Sequence, residues 1–175
     1  DVDARSIGAL CRLSQLLVWR QINFKIHEVR QMRTINEIII HCTATRPGWM
    51  AVRPVAEIVA EITRWHVEDR GWSDCGYSHI ISRSGEVGAA RPEHRVGAHC
   101  KGKNSTSLGI SLCGGRGGEA DDAFEDNFTA DQESALRDLI ADLKDKYPTI
   151  SKISGHNEYS SKACPCFDVS EWLIG

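Results

Sequence analysis

Two histidines and a cysteine, His41, His156 and Cys164, draw attention by their residue types and by where they sit. His41 closes a β-branched run, Asn36-Glu-Ile-Ile-Ile-His41, that suits a strand buried on both faces. His156 follows a second short extended stretch, 149–153, and Cys164 lies in a loop stiffened by Pro165. Loops at strand ends are where open sheets keep their ligand sites. If the two strands are neighbours, two imidazoles and a thiolate converge. That trio offers three protein ligands and one open position for water, the arrangement of a catalytic zinc. The same residues admit a plainer reading: a half-buried histidine with satisfied ring nitrogens, and a buried thiol. Other chemistries lack their signatures. There is no His-Glu-x-x-His, no phosphate-binding glycine loop and no Gly-x-Ser-x-Gly elbow. Cys164-Pro-Cys166 is too tight for a structural zinc site and has no second cysteine pair to complete it.

The elements that must position this trio can be read in outline. Pro54 suits the first residue of a helix, Ile58, Ile62 and Trp65 recur at helical spacing, and Gly71 is placed to end it. Residues 77–82 read as a strand, with Ser84-Gly85 as a hairpin turn into Val87. On that strand Tyr77 and His79 are expected to share a face, which makes His79 a cleft or core residue. Cys42, next to His41, is expected on the opposite face, in the core. His66 shares a helix with Trp65 and reads as structural. Leu108, Ile110 and Leu112 alternate as in a strand, and the glycines of 114–118 mark a loop. Thr129-Ala-Asp-Gln132 is a capping box opening a helix whose apolar face is Leu136, Leu139, Ile140, Leu143 and Tyr147, stopped by Pro148. Asp168 can cap a last short helix. Strands and helices alternate around one sheet, so the class is α/β.

Bulk properties narrow the function. The chain has 175 residues, 41% hydrophobic and 26% charged, enough for one domain with a real core. A net charge of −3 gives no reason to expect nucleic acid as a partner. No apolar run is long enough for a transmembrane segment. The run 7–19 is broken by Arg12 and Gln15 and lacks a basic start and a cleavage site, so it is not read as a signal peptide. Seven cysteines, an odd number, are expected to be mostly reduced and buried, pointing to synthesis in a cytoplasm. Residues 1–34 form a segment of unassigned role, in which Leu10, Leu13, Leu16, Leu17 and Ile22 make a loose docking stripe.

Several stretches, in order, resemble the type-2 N-acetylmuramoyl-L-alanine amidases, a family that includes peptidoglycan recognition proteins and phage endolysins. They are Ile38-Ile-Ile-His41-Cys-Thr-Ala-Thr45, Arg64-Trp-His-Val-Glu-Asp-Arg-Gly-Trp72, Cys75-Gly-Tyr77-Ser-His-Ile-Ile81, Val96-Gly-Ala-His99, Asn104-Ser-Thr-Ser-Leu-Gly-Ile-Ser-Leu112, and His156 followed by Lys162-Ala-Cys164-Pro-Cys-Phe-Asp168. The likeness is closest to the coliphage lysozyme-type amidase endolysins and runs over residues 22–173. It implies a single domain, 35–175, with a central mixed β-sheet flanked by helices. It implies zinc held by His41, His156 and Cys164, with Tyr77 and Lys162 as the catalytic pair and His99 as a cleft residue contacting substrate. Without it, Tyr77 is an ordinary strand aromatic and Lys162 a solvated loop lysine. Cys166 departs from the family pattern, and so does the segment before residue 22. The implied activity is hydrolysis of the amide between N-acetylmuramic acid and L-alanine in peptidoglycan or muropeptides, by a phage or prophage endolysin made in the host cytoplasm and reaching the wall after membrane permeabilisation. Muropeptide recycling is the other setting. Two alternatives stay open: a peptidoglycan-binding module without catalysis, and a regulator of a phage RNA polymerase.

Overall fold

The computed structural model describes residues 33–175. The leucine stripe of residues 10–22 lies outside the described residues. In chain order the elements are β1 (Glu37–Cys42), α1 (Val55–Arg64), β2 (His79–Ile81), β3 (Val87–Ala89), β4 (Ser107–Leu112), α2 (Phe124–Asn127), α3 (Ala130–Lys146), β5 (Lys152–Gly155) and α4 (Val169–Ile174). The sheet order is β3-β2-β4-β1-β5. Strands β2, β4, β1 and β5 run parallel, and β3 returns antiparallel from the hairpin at Ser84-Gly85. The fold is therefore mixed α/β with helices flanking a central sheet, as the sequence suggested. No helix among the described residues is long and apolar enough to cross a membrane.

Both central strands are buried along their whole length, which is why they read as near-continuous apolar runs. Alternation sends Ile38, Ile40 and Cys42 to one face, where they join Leu108, Ile110, Leu112 and the Leu136-Ile140-Leu143 stripe of α3. Glu37, Ile39 and His41 take the other face. There, α1 packs Ile58 and Ile62 over Ile80. Helix α1 widens after Arg64 into a π-helical turn, Trp65–Asp69, and ends at Gly71, whose φ of +70° is the left-handed conformation glycine adopts without strain.

The capping box of α3 forms as its residues dictate. Thr129 Oγ1 accepts from Gln132 N at 3.1 Å, and Gln132 Oε1 accepts from Thr129 N at 3.2 Å. The fully buried Gln132 also donates from Nε2 to Cys113 O at 3.0 Å and to Ile81 O at 3.3 Å. One side chain thus ties the start of α3 to the ends of β2 and β4. Gln132→Ala is expected to destabilise the fold by about 2 kcal/mol, because Cys113 O loses its side-chain donor and Thr129 N its acceptor in the capping box, while the bond from the backbone N of residue 132 to Thr129 Oγ1 is kept. Chemical denaturation checks this. A change below about 0.5 kcal/mol would mean water replaces the amide at no cost.

Two strands are placed differently from the sequence reading. The strand expected at 149–153 is Lys152–Gly155. Thr149 instead donates to Ile35 O, and Ser151 N and Lys152 N both reach Asn36 O, so pairing with β1 starts only at Lys152. The strand expected from Tyr77 begins at His79. Regular pairing fails there: Ser78 gives both N and Oγ to Gly109 O, while Ala90 N and Arg91 N bond Ser78 O and Tyr77 O. Alternation therefore does not carry through, and Tyr77 and His79 do not share a face. His79 lies away from the cleft, with Nδ1 3.2 Å from Ser78 Oγ and Nε2 3.4 Å from Glu93 Oε1. Glu93 also receives Lys146 Nζ and Tyr147 OH at 2.6 Å each, which ties the loop after β3 to the end of α3.

Candidate metal centre

His41 sits near the end of β1 and His156 just after β5, and these strands are parallel neighbours in register from Glu37 with Lys152 to Ile40 with Gly155. Sheet pairing therefore delivers both imidazoles to the same end of the sheet. Their ring centroids are 4.6 Å apart. Cys164 arrives on the following loop, with its Sγ 3.8 Å from His41 Nδ1. Cys42 N donates to that sulfur at 3.2 Å, which fixes it against β1. Asn157 secures the two loops to each other, its Nδ2 donating to Phe167 O at 3.3 Å. One donor atom from each of His41, His156 and Cys164 lies within 4.8 Å of the others. Among the described residues no other group of three His, Cys, Asp or Glu side chains comes together in this way.

The donor set fits a metal ion. Tetrahedral bonds of roughly 2.0–2.3 Å place ligand atoms about 3.5 Å apart, so a small contraction closes the trio around a dication. Without a cation the donors are uncomfortable. Burial, reinforced by the charges of His99 and His156, pushes His41 well below the usual imidazole range. Burial and the ammonium of Lys162 lower His156. The hydrogen bond with Cys42, together with burial, pushes the Cys164 thiol up. Two neutral imidazoles are ready-made ligands, and a dication supplies the charge that makes thiolate favourable.

The other residues singled out from the sequence divide clearly. Tyr77 reaches the centre: its ring lies 5.2 Å from that of His41, and burial raises its hydroxyl above the ordinary range, keeping it protonated. Lys162 stands exposed on the rim, two residues before Cys164. His99 joins the centre directly, with Nδ1 3.0 Å from His41 Nε2. Cys166 is turned the other way, its Sγ 3.3 Å from Gly115 O and 3.8 Å from Cys42 Sγ in the core. His66 is structural: Nδ1 accepts from Gly76 N at 3.0 Å, the ring stacks on Trp72, and burial takes it down to about 4. Cysteines 42, 75, 100, 113, 164 and 166 are all free thiols.

Sequence reasoning missed several supporting residues. Asn104 Oδ1 accepts from both His99 N and Cys100 N at 2.9 Å, shaping the loop that carries His99. Arg33 holds that loop from below, donating to the backbone oxygens of Glu93, Asn104 and Ser107 at 2.8–3.0 Å. Ser111, paired with His41 across the β1–β4 ladder, buries a hydroxyl with no partner among the described residues, beside the centre. Glu37, on the face of His41, is buried against Ser154 Oγ at 2.7 Å and Tyr159 OH. Its signal was available: a carboxylate in an otherwise apolar strand, an even number of residues from His41.

A profile of N-acetylmuramoyl-L-alanine amidases matches residues 31–167. The chain is 42% identical over 148 residues to the endolysin of Klebsiella phage KP32, covering 85% of this chain and 91% of that one. It is 40% identical to the endolysin of Escherichia phage T7, covering 83% and 89%. Among solved structures, Drosophila PGRP-LB superposes with a TM-score of 0.67 over 82% of each chain at 22% identity, which is a likeness of fold.

Proposed function

The chain belongs to the N-acetylmuramoyl-L-alanine amidase family, and from that premise we propose that it is a zinc-dependent endolysin cleaving the amide between N-acetylmuramic acid and L-alanine in bacterial peptidoglycan. The observation that carries this reading is the convergence of His41, His156 and Cys164, two imidazoles and a thiol, at one end of the sheet. A three-ligand site leaves a position for water, which distinguishes a catalytic centre from a closed structural one. Relatives named as endolysins support peptidoglycan or its muropeptide fragments as the partner.

When bound, zinc supplies a Lewis acid for the scissile carbonyl and brings water toward ionisation near neutral pH. The chain's own groups do the rest. His41, His156 and Cys164 would hold the ion. The Tyr77 hydroxyl, carried by a ring packed against His41 and kept protonated by burial, donates to the oxygen that gains charge as the carbonyl becomes tetrahedral. Lys162 on the rim places an ammonium toward the same charge, offsetting the negative charge that a thiolate ligand adds. The packed strands β1 and β5 keep His41 and His156 at fixed spacing, so little reorganisation of these two accompanies reaction.

Digestion of purified peptidoglycan tests the bond assignment. New L-alanine amino termini are expected, without new reducing sugars. The converging trio is two imidazoles and a thiol with no carboxylate among them, whereas glycoside hydrolysis ordinarily works through a pair of carboxylates. New reducing ends in place of new amino termini would overturn the assignment.

A further inference from the structure

The hydrogen bonds behind His41 form a chain whose direction can be worked out from its far end. Lys103 O is a backbone carbonyl and can only accept. Ser107 Oγ lies 2.8 Å from it and therefore spends its one proton there. Toward His99 Nε2, at 3.3 Å, the same hydroxyl oxygen is left as acceptor. His99 Nε2 then carries the proton, and in the neutral ring Nδ1 is bare. His99 Nδ1 accepts from His41 Nε2 at 3.0 Å, so His41 carries its proton on Nε2. What remains is a lone pair on His41 Nδ1, the nitrogen 3.8 Å from Cys164 Sγ.

From this directed chain we propose that His99 is a positioning residue: relayed from Lys103 O through Ser107, it fixes the tautomer and ring angle of His41 so that Nδ1 faces the metal. The inference rests on the zinc reading above and deepens it. It also revises the role expected for His99, since both ring nitrogens are engaged within the protein and neither is left to bind substrate.

The surroundings are shaped to hold this ring. The His99 and His41 rings meet edge to face, 5.1 Å apart at 89°. Directly beneath His99 lies Gly109, where a Cβ would come within 2.6 Å of His99 Cγ. Only glycine at that point of β4 lets the ring lie against the sheet. The backbone of His99 is fixed by Asn104 Oδ1 at 2.9 Å, and the loop end by Arg33. A histidine bound to a metal through one nitrogen ordinarily donates from the other to an oxygen acceptor. Here a second imidazole fills that role, oriented by a serine.

Zinc affinity of the purified chain, measured by competition with a chromophoric chelator, tests this beside two-bond proton–nitrogen spectra of 15N-histidine-labelled zinc protein. His99→Leu fills the space without an acceptor and is expected to weaken zinc binding tenfold or more. His99→Asn, whose Oδ1 can take the place of Nδ1, is expected to stay within about threefold of wild type. Ser107→Ala keeps both rings and removes the hydroxyl that takes the His99 proton, and is expected to fall between. The spectra are expected to show His41 and His99 both protonated at Nε2. Wild-type zinc affinity in His99→Leu, an equal loss in His99→Asn, or a His99 proton on Nδ1 would each overturn the relay while leaving the zinc centre intact. A wild-type chain that binds no zinc would overturn the proposed function and this inference with it. Thermal unfolding of the zinc-free variants separates a lost fold from a lost relay, and Ser107→Ala carries the test if His99→Leu does not fold.

Discussion

Replacing Cys164 with serine is expected to strip the zinc and abolish turnover, while Cys166→Ser keeps both. The two cysteines are separated only by Pro165, yet their sulfurs face different surroundings. Cys164 Sγ sits with His41 and His156 and takes a hydrogen bond from Cys42 N. Cys166 Sγ points to Gly115 O and the core thiol of Cys42. A serine hydroxyl at 164 stays protonated near neutral pH and cannot supply the anionic ligand. Taking the roughly 10–16 kcal/mol with which structural zinc sites in small peptides hold the ion as a scale, one ligand's share corresponds to a loss of affinity on the order of a thousandfold. At 166 a serine can still donate to Gly115 O, so the expected cost is about 1 kcal/mol of stability with the centre untouched. Metal content by elemental analysis and turnover on peptidoglycan check both variants. Loss of zinc from Cys166→Ser, with retention in Cys164→Ser, would assign the ligand to the wrong sulfur.

Tyr77→Phe and Lys162→Ala are expected to lower kcat by about two orders of magnitude each, with zinc content and fold nearly unchanged. Neither residue belongs to the ligand trio. Tyr77 reaches the centre through ring contact with His41, and phenylalanine preserves that packing while removing the hydroxyl. Lys162 is exposed, so truncating it leaves no cavity. An interaction made mainly with the reacting state lowers kcat and kcat/KM together and leaves KM little changed. Near-normal kcat with zinc bound in both variants would make these residues structural and leave catalysis to the metal and other groups.

What was legible in the sequence follows from how local its causes are. The capping box at Thr129-Gln132 and the Asp168 cap are decided within four residues, and both form as read. The Ile38-Ile39-Ile40 run announces a doubly buried strand because burial on both faces removes the polar alternation. Errors appear where a partner decides. Whether Tyr77 is in a strand depends on how Gly109 and Arg91 meet that backbone, and no feature of residues 77–82 reports it. The start of β5 depends on where Asn36 offers its carbonyl. His99 could be named from the resemblance, but its bond to His41 depends on the pairing of β1 with β4 and on the missing side chain at Gly109. That contact is a property of the folded sheet.

The most direct test follows zinc content and amidase rate together as the purified chain is stripped with chelator and then titrated with zinc. The expected result is a rate that falls in proportion to bound zinc and returns fully at one equivalent per chain, with L-alanine amino termini as the product throughout. Full activity in protein holding less than about a tenth of an equivalent would contradict the account, because the convergence of His41, His156 and Cys164 would then serve some purpose other than catalysis.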